Sequence, residues 1–421
     1  MATSLRRLGV DDIGSRRRLV RSSAAVGLAM AAGNALTAVT QFSLARLLDP
    51  GEFSVVVALF VVITVAGVPL GALQAIVARN VASALADGGD AAAGTALRAA
   101  SRELWRLSLP VFAAACVVAV PVAYALTVHR IGALVATAVV VAASVGLTVV
   151  WGGLQGSHRF GLFAGGQAGF ALAKLGAAVA AAALGWGVTG VLAATALATV
   201  LMLFAGLLPF RAYLGIEPRP DSGRRYALLN RYSGGAALAL TLYAVLTTVD
   251  VVVARLALSH GDAGAYAAAS VVSRALLLVP IALTTVLFPR VATLRDPVRE
   301  QRHLRAALAV TVVVGAAAAL VLWPAGEEII RVAFGAKYSA AGGWVPLLAV
   351  AMTFYGVGFV YLFHTLSLGR SRFWLAALPL AVVQGLAFAL VHGSGRQLAL
   401  VQVGVAAAFA VTADLYHRRR A

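Results

Sequence analysis

Thr241-Leu-Tyr-Ala-Val-Leu-Thr-Thr-Val-Asp250 opens the stretch whose reading decides the fold. An apolar run follows to Arg255 and Leu258, then a polar turn, Ser259-His260-Gly261-Asp262-Ala263-Gly264. Beyond it come Ala265-Tyr266, a small-residue run to Ser273-Arg274, and Ala275 to Pro280. The stretch closes with Ile281 to Phe288 and Pro289-Arg290. Two long apolar segments joined by a polar turn predict a transmembrane helical hairpin. Each segment carries one ionisable residue well inside it, Asp250 before the turn and Arg274 after it. At ~1.5 Å of rise per residue both lie roughly 15 Å deep, near the middle of a ~30 Å hydrocarbon core. A charge at that depth is costly unless it is paired or lines a polar cavity.

The rest of the chain agrees with a membrane environment. Of 421 residues 61% are hydrophobic and 12% charged, with mean hydropathy +0.91; soluble domains are about a quarter charged. The predicted class is an all-α polytopic membrane protein. Twelve spans are expected at 23–47, 53–77, 107–128, 132–154, 161–183, 188–209, 232–257, 264–288, 305–323, 343–367, 373–391 and 397–416. Breakers such as Asp49-Pro50-Gly51 and His392-Gly393-Ser394-Gly395 separate them. Residues 1–22 are Arg-rich with no cleavage site, so the first span reads as retained and not as a signal peptide.

The net charge of +18 would suggest nucleic acid in a soluble chain. Here its distribution excludes that reading. With the N-terminus inside, 26 of the 34 basic residues fall in inner segments and six in outer turns. Both termini are therefore expected in the cytoplasm of a bacterial cell membrane, the basic loops lying against anionic headgroups.

An internal repeat divides the chain. Ala45-Arg46-Leu47 matches Ala254-Arg255-Leu256, Val68-Pro69 matches Val279-Pro280, and Arg79 and Arg290 stand ten residues beyond each proline. Six spans separate the copies, which predicts two six-helix lobes related by a parallel pseudo-repeat. The expected division is a cytoplasmic Arg-rich N-terminus 1–22, an N-terminal lobe 23–209, a cytoplasmic linker 210–231, a C-terminal lobe 232–416 and a tail 417–421. Residues 79–106, with Arg98, Arg102, Trp105 and Arg106 at helical spacing, read either as an interfacial amphipathic helix or as a plain connector. Pro69, Pro280 and Pro289 offer kinks in spans 2 and 8.

No enzyme signature is present. There is no Walker A sequence, the seven histidines are not at metal-ligand spacing, and Cys116 is alone. No cofactor and no metal are expected. Polar residues inside spans carry the functional signal. Arg274 could meet a phosphate with its planar fork, pair with Asp250, or alternate between the two. Asp250 reads as a counter-ion to Arg274 or Arg255, or as a cation or proton site. Lys174, with Gln167 on the same face, lies past the middle of span 5 and needs a partner or water. Asn34, Gln41 and Gln74 either line a cavity or join helices. Arg46 and Arg255 stand at outer ends, where snorkelling is the simplest reading and headgroup reception the other. Gln384 and Gln402 in the last two spans carry weaker signals.

The ordered motifs resemble a family. An apolar helix ending Asp250-x-x-x-x-Arg255-Leu256, a Gly264-x-Tyr266 turn exit, the mid-helix Arg274, Pro280 and Phe288-Pro289-Arg290 are similar to the seventh and eighth helices of lipid-linked oligosaccharide flippases. Ala45 to Phe53 resembles the turn after the family's first helix. Phe334-Gly335-Ala336-Lys337-Tyr338 resembles the turn before its tenth. These are the polysaccharide (O-antigen type) transporters and lipid II flippases of the multidrug/oligosaccharidyl-lipid/polysaccharide exporter superfamily.

The resemblance implies a flippase moving a polyprenyl-(di)phosphate-linked saccharide by alternating access, with Arg274 facing the cavity. It implies membrane lipids and glycan polymerases or glycosyltransferases as partners. A cation-coupled drug antiporter and a non-transporting envelope scaffold are the other readings. Relatives often carry Asp before this arginine and Pro five residues on; here Ser273 and Pro280 depart from the pattern.

Overall fold

The computed structural model describes residues 33, 35–125, 131–211, 231–291 and 297–418; Asn34 and most of the 210–231 linker lie outside them. The described chain is helical throughout. In the first lobe are α1 (35–47), α2 (50–87), α3 (90–125), α4 (Ile131–Gly156), α5 (Phe160–Ala183) and α6 (Gly187–Leu207). In the second are α7 (Arg231–Ala257), α8 (His260–Arg274), α9 (Leu278–Val291), α10 (Pro297–Phe334), α11 (Val345–Ser367), α12 (Trp374–Leu390) and α13 (Gly395–Arg418). Nine described helices are long and apolar enough to cross a membrane. With α1, α3 and the shorter α12, every expected span has a helix. Side chains such as Leu320 (76% exposed) and Leu390 (82% exposed) would be untenable in water and suit a lipid-facing surface.

Three boundaries differ from expectation. The stretch 79–106 is helical except at its middle. It prolongs α2 and α3, which turn back on each other at Gly88-Gly89. Gly89 has φ +64°, a left-handed conformation suited to glycine. Val77, Val81 and Ala84 of α2 share one core with Ala92, Ala96 and Ala100 of α3, while Trp105 on the opposite face is 78% exposed. The segment is amphipathic, but its apolar side is spent on helix packing. The polar turn 259–264 is also shorter than read: Ser259 caps α8, its Oγ accepting from the Asp262 amide at 3.2 Å. Finally, α10 extends to Phe334, beyond the expected end of the ninth span at residue 323. Gly335, at φ +105°, turns it into the 3-10 segment Ala336–Gly343.

Of the expected kinks, Pro280 shows a clear one. Its ring excludes the normal bond to the Leu276 carbonyl, and Ala275–Leu277 is wound as a 3-10 turn between α8 and α9. Around Pro69 the helix runs on without leaving helical backbone.

We call the end carrying the arginine-rich loops the basic end and its opposite the far end. At the far end the lobes share one core. It joins Leu44, Leu48 and Phe53–Leu59 of the first lobe to Ala254, Ala265–Ala269 and Tyr338 of the second. At the basic end each lobe keeps a separate core. Residues 53–59 of α2 and 264–270 of α8, which the repeat pairs, are both buried on every side. Small residues make that possible: a Cβ on Gly264 would lie 2.5 Å from the Pro50 carbonyl oxygen. The two lobes are thus pressed together by backbone-close packing at the far end.

Candidate functional site

Arg274 ends α8 and reaches α7. Its Nη2 lies 2.7 Å from Asp250 Oδ1 and 3.3 Å from the Thr248 carbonyl oxygen, and its Nε donates to the Thr247 carbonyl at 3.0 Å. The Tyr266 hydroxyl donates to the other Asp250 oxygen at 3.2 Å. Asp250 is fully buried, so both of its oxygens are satisfied by protein and its charge is cancelled in place. The charge pair foreseen between the two helices is therefore present.

The pair does not consume the arginine. Nε and Nη2 are engaged, whereas Nη1, with two N–H groups, meets no acceptor among the described residues. The side chain keeps 18% of its surface accessible, and Nη1 is not among the buried unpaired atoms. One edge of the guanidinium is clamped and the other is presented. A clamped arginine is pre-organised: little side-chain entropy remains to be lost when an oxyanion meets its free edge.

The other expected residues divide into three groups. Lys174 on α5 is partly buried, with its Nζ 4.5 Å from the centre of the Phe170 ring and no ion pair or hydrogen bond among the described residues. Among the described residues, Gln41 keeps a buried Oε1 without a partner, and Arg255, only 9% exposed, has a buried Nε without one. These three retain unused donors or acceptors. Gln74 instead donates to Gln155 Oε1 at 3.1 Å and joins α2 to α4.

Arg46 also serves structure. It donates to the Val332 and Ala333 carbonyls at the C-terminus of α10. Lys337 reciprocates by donating to the Leu48 carbonyl at 2.6 Å, and the Tyr338 hydroxyl donates to Ala45 O at 2.9 Å. Each lobe thus supplies a cation to the negative end of a helix in the other. Burial, then the Asp49 carboxylate, pushes the Tyr338 phenol up, so it stays a donor. This latch closes the far end, together with edge-to-face rings of Phe42, Phe53, Phe334 and Tyr338.

A second polar centre was underweighted by sequence. Gln384 Nε2 donates to Leu246 O at 2.8 Å and to Gln402 Oε1 at 2.7 Å; Gln402 Nε2 donates to Leu246 O at 3.2 Å, and the Tyr355 hydroxyl to Gln402 Oε1 at 3.1 Å. The knot ties α7, α11, α12 and α13 beside the Thr247–Asp250 turn that clamps Arg274. Gln402→Leu is expected to cost about 1–3 kcal/mol, because it strips a partner from Gln384 Nε2, the Tyr355 hydroxyl and Leu246 O, which stay buried. Thermal unfolding of the purified protein would register that loss.

The fold is one seen in solved structures of membrane transporters. Among solved structures, the chain is similar to the lipid II flippase MurJ in an inward closed conformation, with TM-score 0.71 and 12% identity over 95% of this chain and 87% of that one. It is also similar to an inward-facing multidrug resistance MATE transporter, with TM-score 0.61 and 16% identity over 92% and 94%. The outward-facing conformation of a MATE transporter gives TM-score 0.57 and 15% identity. At such identities the likeness establishes the shared fold of a multi-pass membrane protein. No family model and no curated protein sequence matches the chain.

Proposed function

We propose that this protein is a flippase for a polyprenyl-(di)phosphate-linked saccharide, carrying it from the inner to the outer leaflet of a bacterial cell membrane for surface glycan assembly. The observation that carries the reading is the free Nη1 edge of Arg274, held by Asp250 and the Thr247 and Thr248 carbonyls. Phosphate and sugar hydroxyls cannot cross hydrocarbon unaided. A fixed guanidinium edge, with Lys174 as a second cation and Gln41 as an acceptor, replaces water around them. The lipid tail stays in the bilayer. The basic end faces the cytoplasm, with both termini. The described conformation then receives cargo from inside, and Arg255 meets the headgroup only after the far end opens.

The drug-antiporter alternative is weaker here. Asp250 is the one mid-span carboxylate among the described residues, and Arg274 and Tyr266 already occupy it. The scaffold alternative draws on the same pair, since a satisfied ion pair needs no cargo. Native mass spectrometry of the protein in nanodiscs with a polyprenyl diphosphate separates these. Bound lipid diphosphate that is lost in Arg274→Lys and weakened in Lys174→Ala supports the flippase. Equal occupancy in all three proteins removes these residues from the site.

A further inference from the structure

Two histidines far apart in sequence meet at the basic end of the second lobe. His364 lies in the last turn of α11, His417 in the last turn of α13, and Glu300 in the first turn of α10. His364 Nε2 is 2.9 Å from Glu300 Oε1. The imidazoles are edge to face with centroids 5.0 Å apart, and the Tyr361 ring covers His417 at 5.6 Å. His364 is 1% exposed and His417 is 9% exposed. None of these groups touches Arg274 or the far-end latch.

The placement fits a proton. Burial opposes charging either imidazole; against it, helix C-termini favour an imidazolium and a helix N-terminus favours a carboxylate, so the backbone of all three helices supports the charged His364–Glu300 pair. The charged groups facing the imidazoles are Glu300 from α10, Arg370 from the turn after α11, and Asp414 and Arg418 from α13. Arg418 is already paired with Asp414 at 2.8 Å. Two imidazoliums in contact beside Arg370 would repel, and among the described residues Glu300 is the carboxylate paired with His364 while Asp414 is taken by Arg418, so the cluster holds a single proton.

We propose that Glu300, His364 and His417 form a one-proton site that ties the start of α10 to the ends of α11 and α13. With the proton bound, His364 and Glu300 form an ion pair and the three helix ends are held together. Without it the charge attraction between His364 and Glu300 is lost, and the start of α10 is released. The balance between conformations of the second lobe then depends on pH, whatever the cargo.

The test uses the full chain in nanodiscs with Cys116→Ser and spin labels at Val298→Cys and Leu415→Cys, positions 79% and 48% exposed. Distances between the labels are read from about pH 3.5 to about pH 8, which spans the range in which histidine titrates and the lowered midpoint expected for Glu300→Gln. The expected result is a narrow distribution at low pH that lengthens and broadens as pH rises, with no pH response in His364→Gln. Glu300→Gln removes the carboxylate that favours the imidazolium, so its midpoint moves down by about one to three pH units. This second variant decides the matter if His364→Gln fails to fold. A distribution independent of pH in the parent, a response that survives His364→Gln, or an unmoved midpoint in Glu300→Gln would each overturn the proposal.

Discussion

Arg274→Ala is expected to lose about 3–5 kcal/mol of stability, the usual result of stripping one partner from a buried charge pair. Asp250 is fully buried, and only the Tyr266 hydroxyl would remain to face its charge. Arg274→Ala/Asp250→Ala removes both charges and is expected to recover most of that loss, since a neutral pair carries no desolvation penalty. Thermal unfolding of the single and double variants in one detergent gives the comparison. A single variant as stable as the parent would mean that the pair is not what holds α8 against α7. The distinction matters because loss of transport in the single variant alone would confuse a missing anion site with a damaged lobe.

A covalent lock at the far end is expected to abolish transport altogether. A Cβ built on Gly51 would lie 3.2 Å from His260 Cβ, close to the about 3.5–4.5 Å that a disulfide spans. Gly51→Cys/His260→Cys in a Cys116→Ser background should therefore cross-link the lobes when oxidised. The latch of Arg46, Lys337 and Tyr338 would then be unable to part, and cargo received from the basic end would have no exit. Reduction should restore transport. Oxidised protein that still transports would show that the lobes need not separate there.

The sequence displayed the charged centre but not its geometry. Asp250 and Arg274 stand out because charges are rare in apolar helices, and counting from the turn gives their depth. Counting gives no azimuth, and the 3-10 turn at Ala275–Leu277 shifts the face beyond Arg274. Whether the pair closed on itself or left an edge open therefore needed coordinates. The stretch 79–106 misled for a different reason. Its arginines mark a loop by charge, while its alanines pack helix on helix beyond the expected span. Gln384 and Gln402 carry the same sequence signal as Gln41 and Gln74, so nothing local separates a tight knot from an unpaired amide. His364 and His417 are 53 residues apart, and only the packing of α11 on α13 joins them. Lys337 was legible as part of a motif, but the helix end it caps belongs to the other lobe.

The most direct measurement is flipping of a labelled polyprenyl-diphosphate saccharide in proteoliposomes by the parent protein and by Arg274→Ala/Asp250→Ala, at matched protein and with comparable unfolding temperatures. The clamped-arginine account predicts flipping by the parent and none above protein-free vesicles in the double variant. Flipping at the parent's rate by a well-folded double variant would contradict it, because no guanidinium edge would remain to receive the phosphate.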